Sequence, residues 1–308
     1  MMDEFVIETK KLTKKYGHET AIHDVDLHVR KGRIYGLLGR NGAGKTTTMK
    51  LLLGLTDPTA GEVLLWEKPL RGNEKKVLPR IGSMVEGPGF YPNLTGTENL
   101  RIFATLRGVP TANAVENALR LVGLPVRDKK LFGAYSLGMK QRLGIANAVF
   151  HDPELLILDE PTNGLDPIGI AGIRDHLKKL VVEREKTILI SSHILSEITL
   201  LADDIGIIDR GVLLEEAPLS ELTKRDRRYI ELRVSDVPKT VLILERDFGM
   251  KGYSVQDDCT LHLFDAVEDI GAVHRALVLE DVAVYESRFC SHTLEDYFKS
   301  ITGGGGIA

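Results

Sequence analysis

The chain has 308 residues, 43% hydrophobic and 27% charged, with a formal charge of −4. That length supports two domains with a core each, and the charge balance excludes a chain built mainly to coat nucleic acid, which carries a basic surplus. No run approaches the roughly 18 apolar residues that cross a bilayer, and the opening stretch "MMDEFVIETKKLTKKYG" lacks the apolar segment of a secretory signal.

Residues 1 to about 217 alternate short β-branched runs with longer amphipathic stretches, the pattern of strands feeding helices in an α/β domain. "RIYGLLG" (33–39) reads as a buried strand that runs directly into a glycine-rich segment. "VEGPGFYPNLTG" (85–96) reads as a loop, with Glu86 standing where an apolar strand hands over to it. Segments 95–108, 112–124 and 138–150 each carry apolar residues at three and four spacing, which predicts a helical subdomain (about 96–150) set into the α/β core. "LLILDE" (155–160), "TILISSH" (187–193) and "DIGIID" (204–209) read as further strands, apolar enough for a parallel sheet buried on both faces.

The polar stretch 218–228 reads as a connector. Beyond it the pattern predicts strand 229–234, helix 237–248, strands 252–256 and 260–264, helix 266–279 and strand 282–287, the βαββαβ order of a ferredoxin-like unit. A last helix, "TLEDYFKSI", precedes a "GGGG" tail (303–306) expected to be disordered. Cys259 and Cys290 fit a reducing cytosol better than a disulfide scaffold. With His262, His274 and His292 they lack a compact metal-ligand spacing, so these residues are expected to be structural.

The chemistry concentrates in two places. Gly39-x-x-x-x-Gly44-Lys45-Thr46 is a P-loop, directly after an apolar strand and opening a helical pattern. Glycines let backbone N–H groups turn inward around phosphate oxygens, and the positive end of the following helix faces the same anion. Lys45 is expected at the β and γ phosphates of ATP, and Thr46 at a Mg²⁺ ion. Asp159 ends the strand "LLILDE", at the carboxyl edge where α/β sheets bind ligands, and can hold Mg²⁺ directly or through a water. Glu160 is placed to orient or deprotonate the water that attacks the γ-phosphate. An acidic pair ending a strand is by itself as readily a helix cap or surface charge; the P-loop upstream turns the reading toward catalysis.

Between these places lies "AYSLGMKQRLGIANAVFHDPELLILDEPTNGLDP". Over residues 4–217 the chain resembles the ATP-binding cassette (ABC) ATPases. The matching features are Tyr16, an aromatic for stacking on adenine, and the P-loop with Gly39, Arg40, Asn41, Gly42, Ala43, Gly44, Lys45, Thr46 and Thr47. They continue with the signature at Tyr135 to Met139, the Asp159–Glu160 pair, the "NGLD" loop ending at Asp166, and His193 after "TILISS". The resemblance implies a P-loop NTPase cassette, with RecA-like core, β-subdomain and helical subdomain, over residues 1–217. It also implies that Ser136 and Gly138, opening the helix 138–150, serve the nucleotide of a second copy, so that two cassettes close head to tail over ATP. Asp166 would lie on the loop at that dimer contact, and His193 would touch the γ-phosphate and Glu160. Separate transmembrane permease subunits, docked on loop 86–96 and the helical subdomain, would hold the chain peripherally on the cytoplasmic face of the membrane.

Two departures from the common pattern narrow the resemblance. The signature reads Tyr135-Ser136-Leu137-Gly138-Met139 where Leu-Ser-Gly-Gly-Gln is usual, and Glu86 stands where most cassettes have Gln. Both are similar to the branch that exports bacitracin-like peptides or confers lantibiotic immunity, which also carries one cassette and a C-terminal extension. In that setting Glu86 is expected to contact Mg²⁺ or its water, the other reading being a solvated loop residue. The alternative function is a soluble ABC ATPase acting on DNA or ribosomes. Against it stand the single cassette and the lack of a long heptad pattern between 47 and 135. The extension reads as a dimer-supporting appendage, or else as a ligand-sensing module.

Overall fold

The computed structural model describes residues 4–86, 89–223, 228–265, 269–291 and 294–302. Five consecutive buried residues, Ile34–Leu38, form the strand around which the larger unit is built. It pairs parallel with Thr187–Ser192 on one side and Asp204–Asp209 on the other. The sheet continues through Leu155–Leu158 to Ile81–Met84 at one edge, and ends at the other in Val212–Pro218, which runs antiparallel. Such double-sided burial is what the unbroken apolar runs require.

Register then decides where the chemistry goes. Leu38 lies opposite Ser192, and Leu158 lies opposite both Ile190 and Met84. Four strands therefore finish in one layer, and the residues just beyond them emerge together at the carboxyl edge of the sheet. The strands are shorter than the apolar runs, because Gly39, Asp159, Glu160 and His193 have already left them. Glu160 does so with φ +46, in the left-handed region that side-chain-bearing residues rarely adopt.

A second, antiparallel sheet is built on the strand Phe5–Tyr16, which pairs with Glu19–Val25, His28–Arg30 and Ala60–Leu65, the last also pairing with Lys68–Pro69. Bulges between Leu12 and Lys15 interrupt its alternation, which hides the strand in a lysine-rich sequence. At Gly61 (φ +80) a Cβ would collide with the Lys11 carbonyl, so glycine is required at that close approach.

The helical layer comprises Gly96–Leu106, Thr111–Leu121 and Leu137–Val149. Thr95 opens the first with a capping box: its hydroxyl accepts from the Glu98 N–H while the Glu98 carboxylate accepts from the Thr95 N–H. Phe90 meets Phe103 and Phe132 edge-on at centroid distances of 5.5 and 5.2 Å, tying the preceding loop to this layer. Each such contact is worth about 0.5–1.5 kcal/mol beyond its burial. An 18-residue helix, Pro167–Arg184, follows the core strand Leu155–Leu158 and carries Asp166 as its N-cap.

A second compact unit begins at Ser220. Leu219–Thr223 is a short helix rather than open connector, because Leu222 is buried; 224–227 lie outside the described residues. Ile230, Leu232 and Val234 alternate inward along Arg228–Val234, the strand flanked by Thr260–Leu263 and Val284–Ser291, with Tyr253–Val255 at the far edge. All pairs are antiparallel, which is the ferredoxin-like order. The helices Val237–Phe248 and Ile270–Leu279 supply the rest of its core. The described part of the second helix is Ile270–Leu279, capped by Asp269, which is extended and accepts from the Ala272 N–H; 266–268, where the sequence predicts its start, lie outside the described residues. The last strand runs to Ser291, beyond the expected 287, because Arg228–Val234 pairs with it throughout. The described part of the last helix is Leu294–Ile301; His292 and the 303–306 glycines lie outside the described residues.

Candidate active site

The P-loop connects the buried strand Ile34–Leu38 to the helix Lys45–Leu52. Gly42 (φ +80) and Gly44 (φ +108) supply the left-handed turns, and a Cβ on Gly44 would stand 2.7 Å from the Ile22 side chain. The Ala43 N–H donates to the Arg40 carbonyl and closes the loop. Lys45 is only 5% exposed. Its ammonium donates to the carbonyls of Gly39 (2.6 Å) and Arg40 (3.1 Å) and lies 3.2 Å from Oε1 of Glu160. A buried cation needs this many partners, and here they hold it at the mouth of the loop.

Thr46 donates its hydroxyl to Oδ2 of Asp159 at 2.7 Å. Two hard oxygen donors, one in the first turn of the helix Lys45–Leu52 and one just past the strand Leu155–Leu158, suit a divalent cation that keeps phosphate oxygens and waters in its other positions. Among the described residues no group of three or more His, Cys, Asp or Glu is assembled for a metal. Oε2 of Glu160 lies 2.5 Å from Nδ1 of His193, so one carboxylate connects the lysine and the histidine.

Tyr16, Arg40, Asn41, Gly42, Gly44, Lys45, Thr46, Thr47 and Glu160 line one cleft of about 510 Å³, with Glu19, Thr20, Ala21 and Arg210. Ser136, Gly138 and Asp166 are not part of that lining. Ser136 is an exposed N-cap whose hydroxyl accepts from the Met139 N–H, and Asp166 caps its own helix by accepting from the Gly169 N–H. The signature helix is linked to the acidic pair by Gln141, which donates to the carbonyls of Glu160 and Asn163 at 3.4 Å.

Two of the three signature departures, Tyr135 and Leu137, make local contacts that account for them. Tyr135 is buried against Phe132, and its hydroxyl takes a hydrogen bond from the Gly96 N–H at the start of the first helix of the layer. Leu137 covers Gly164, a position where any Cβ would collide with it.

Glu86, the third metal candidate, pairs with a lysine in this structure. Its Oε1 accepts from Lys50 at 2.6 Å, one turn beyond Thr46, rather than joining Thr46 and Asp159. That hydrogen bond raises the Lys50 ammonium above its ordinary pKa. Glu86 is 64% exposed by side chain and takes φ +61.

A family model described as ABC transporter matches residues 22–163. The chain is 51% identical to the bacitracin transport ATP-binding protein BcrA of Enterococcus faecalis, over all of both chains. It belongs to the ATP-binding subunits of ABC transporters. A second member of this ABC family, the lantibiotic transport ATP-binding protein SrtF of Streptococcus pyogenes, is 44% identical over 213 residues, 68% of this chain and 90% of its own. Among solved structures, a dimeric ATP-binding cassette in a post-hydrolysis state with ADP and Pi superposes with a TM-score of 0.63 at 26% identity, covering 69% of this chain and 98% of the other. This ABC subunit is therefore a P-loop ATPase coupled to transport, with the cassette fold.

Two polar groups at the site were missed by the sequence reading. Ser191 is the first of two serines that end the strand Thr187–Ser192, and it bonds to both Asp159 and Glu160. Lys50 sits in a helix where any exposed lysine looks alike.

Proposed function

We propose that this ABC subunit is the ATP-hydrolysing motor of an exporter that confers resistance to bacitracin or a related peptide antibiotic. The observation that carries the reading is the identity to a bacitracin transport protein across the whole of both chains, C-terminal unit included. The lantibiotic transport relative aligns over 213 residues, 68% of this chain.

On this reading Tyr16 stacks on adenine, while the P-loop amides from Gly39 to Thr47 and the Lys45 ammonium hold the phosphates. Thr46 and Asp159 would hold Mg²⁺, which when bound neutralises charge between the β and γ phosphates. Glu160 takes the proton of the attacking water, and His193 holds its carboxylate in position from the far side. Ser136 and Gly138 offer a helix N-terminus to the γ-phosphate held by a second copy, with Asp166 on the adjoining loop. A phosphate bridging two copies favours the closed dimer before hydrolysis and releases it afterwards, which is how turnover does work.

Among the described residues no helix is long and apolar enough to cross a membrane. Separate permease subunits would supply that path, with loop 86–96 and the helical layer as the docking face and this chain peripheral on the cytoplasmic side. The test is to express the chain with its neighbouring permease in a bacitracin-sensitive host. Wild type should co-purify with the permease and raise the tolerated bacitracin concentration, and Glu160→Gln should co-purify without protecting. Equal protection by both, or co-purification with no protection by wild type, would overturn the proposal.

A further inference from the structure

We infer that Ser191 is the positioning residue that sets both acids of the site, an inference that rests on Asp159 and Glu160 acting on metal and water as proposed above. Ser191 is fully buried on Thr187–Ser192, beside the P-loop strand and opposite Leu37. Its hydroxyl oxygen accepts from the Glu160 N–H at 2.8 Å. A backbone amide only donates, so the one hydroxyl proton of Ser191 is left for its other neighbour, Oδ1 of Asp159 at 2.6 Å. The direction of both bonds is thereby fixed.

Each bond has a separate consequence. Thr46 already donates to Oδ2 of Asp159, so with Ser191 on Oδ1 both carboxylate oxygens are held and the group cannot rotate about its χ2. The remaining lone pairs then face one direction, as a metal ligand supported by a hydrogen-bonded neighbour should. The second bond anchors Glu160 at the residue whose φ is +46. Holding that uncommon backbone turn is what carries the Glu160 carboxylate between Lys45 and His193. A fully buried strand residue thus controls the aim of the two acids assigned to metal and water.

Threonine and valine have the same shape at this position and differ in the hydroxyl, so Ser191→Thr and Ser191→Val in the full-length chain isolate it. Ser191→Ala removes it without adding volume, should valine prevent folding. Mn²⁺ binding to the ATP-loaded protein, followed by electron paramagnetic resonance, reads the metal side without turnover. Steady-state kinetics at saturating metal reads the Glu160 side. Val and Ala are expected to weaken Mn²⁺ binding and lower kcat by about 10-fold or more each, with KM for ATP changed less than about 2-fold, while Thr stays within about 3-fold of wild type. Equal behaviour of Thr and Val in folded proteins, or wild-type Mn²⁺ affinity and kcat in Ala, would overturn the inference. Asp159→Asn measured alongside separates the two failures. If it too leaves Mn²⁺ binding intact, the site assignment itself is wrong; if it alone weakens binding, only the role of Ser191 fails.

Discussion

Glu86 and Lys50 show how a single side chain changes meaning once its partner is visible. From the sequence, a carboxylate at that position in a nucleotide site reads as a metal ligand. In the structure it is engaged by an ammonium 2.6 Å away, at the surface. Exposed pairs of this kind contribute about 0–1 kcal/mol, so Glu86→Gln should leave the unfolding midpoint nearly unchanged. It should also leave the Mg²⁺ titration of ATP turnover where it is in wild type. A clear shift in that titration would return Glu86 to the metal. The P-loop, Asp159, Glu160 and His193 were legible because their chemistry is written in short local strings whose strands end at one edge. The Lys50–Glu86 pair spans 36 residues, and Ser191 is one polar residue in a buried run. Neither has a local signature, so only three-dimensional register exposes them.

At the scale of elements, the loop ahead of the helical layer is held from within by Asn99. This side chain is fully buried; it accepts from the Tyr91 N–H at 2.8 Å and donates to the carbonyls of Tyr91 and Thr95 at 3.1 and 3.0 Å. Asn99→Ala would leave the Tyr91 N–H without that acceptor, while the Tyr91 and Thr95 carbonyls keep their bonds from the Leu94 and Asn99 N–H groups, and should lower stability by roughly 1–3 kcal/mol. Hydrogen exchange should speed up in the loop 91–95 ahead of the helical layer it precedes. Uniform exchange throughout the chain would contradict that local role.

The other end of the layer is joined to the sheet edge through His151, whose Nε2 accepts from Arg107 at 2.8 Å and lies 3.1 Å from the Ile81 carbonyl. Burial, with the Arg107 charge adding to it, pushes this histidine from 6.5 down to about 4. The unfolded chain therefore takes up a proton between pH 6.5 and 4 that the folded chain refuses. Stability falls as pH drops through that window, by on the order of 1–2 kcal/mol for this partly exposed group. In urea titrations at neutral pH and inside the window, wild type should lose more than His151→Gln, and equal losses would contradict the assignment. Helices with clean three-and-four spacing were legible in the sequence. The strand Phe5–Tyr16 was not, because bulges shift its alternation.

For the whole molecule, the cleft and the signature helix pose one question. Lys45, Glu160 and His193 are already joined into one network, yet Ser136 and Gly138 lie outside the cleft lining. A helix N-terminus with an exposed serine cap lies outside its own P-loop cleft, and on the proposed reading a second copy of the chain would bring the anion it serves. A cassette fold matched by a dimeric relative with ADP and Pi bound is consistent with that arrangement. The fold class and the site's family were legible from motif order. The closing of two copies on ATP rests on the resemblance alone, since no single-chain pattern encodes a contact between chains.

The most direct test is the mass of Glu160→Gln in solution by light scattering, with ATP and Mg²⁺. Removing the base should slow turnover by about 10² or more, so ATP is kept. The account predicts a species at twice the 34.1 kDa of one chain, which reverts to one chain when Ser136→Ala or Lys45→Ala is added. A Glu160→Gln protein that binds ATP and stays at the mass of one chain, or whose dimer is indifferent to Ser136→Ala, would contradict it.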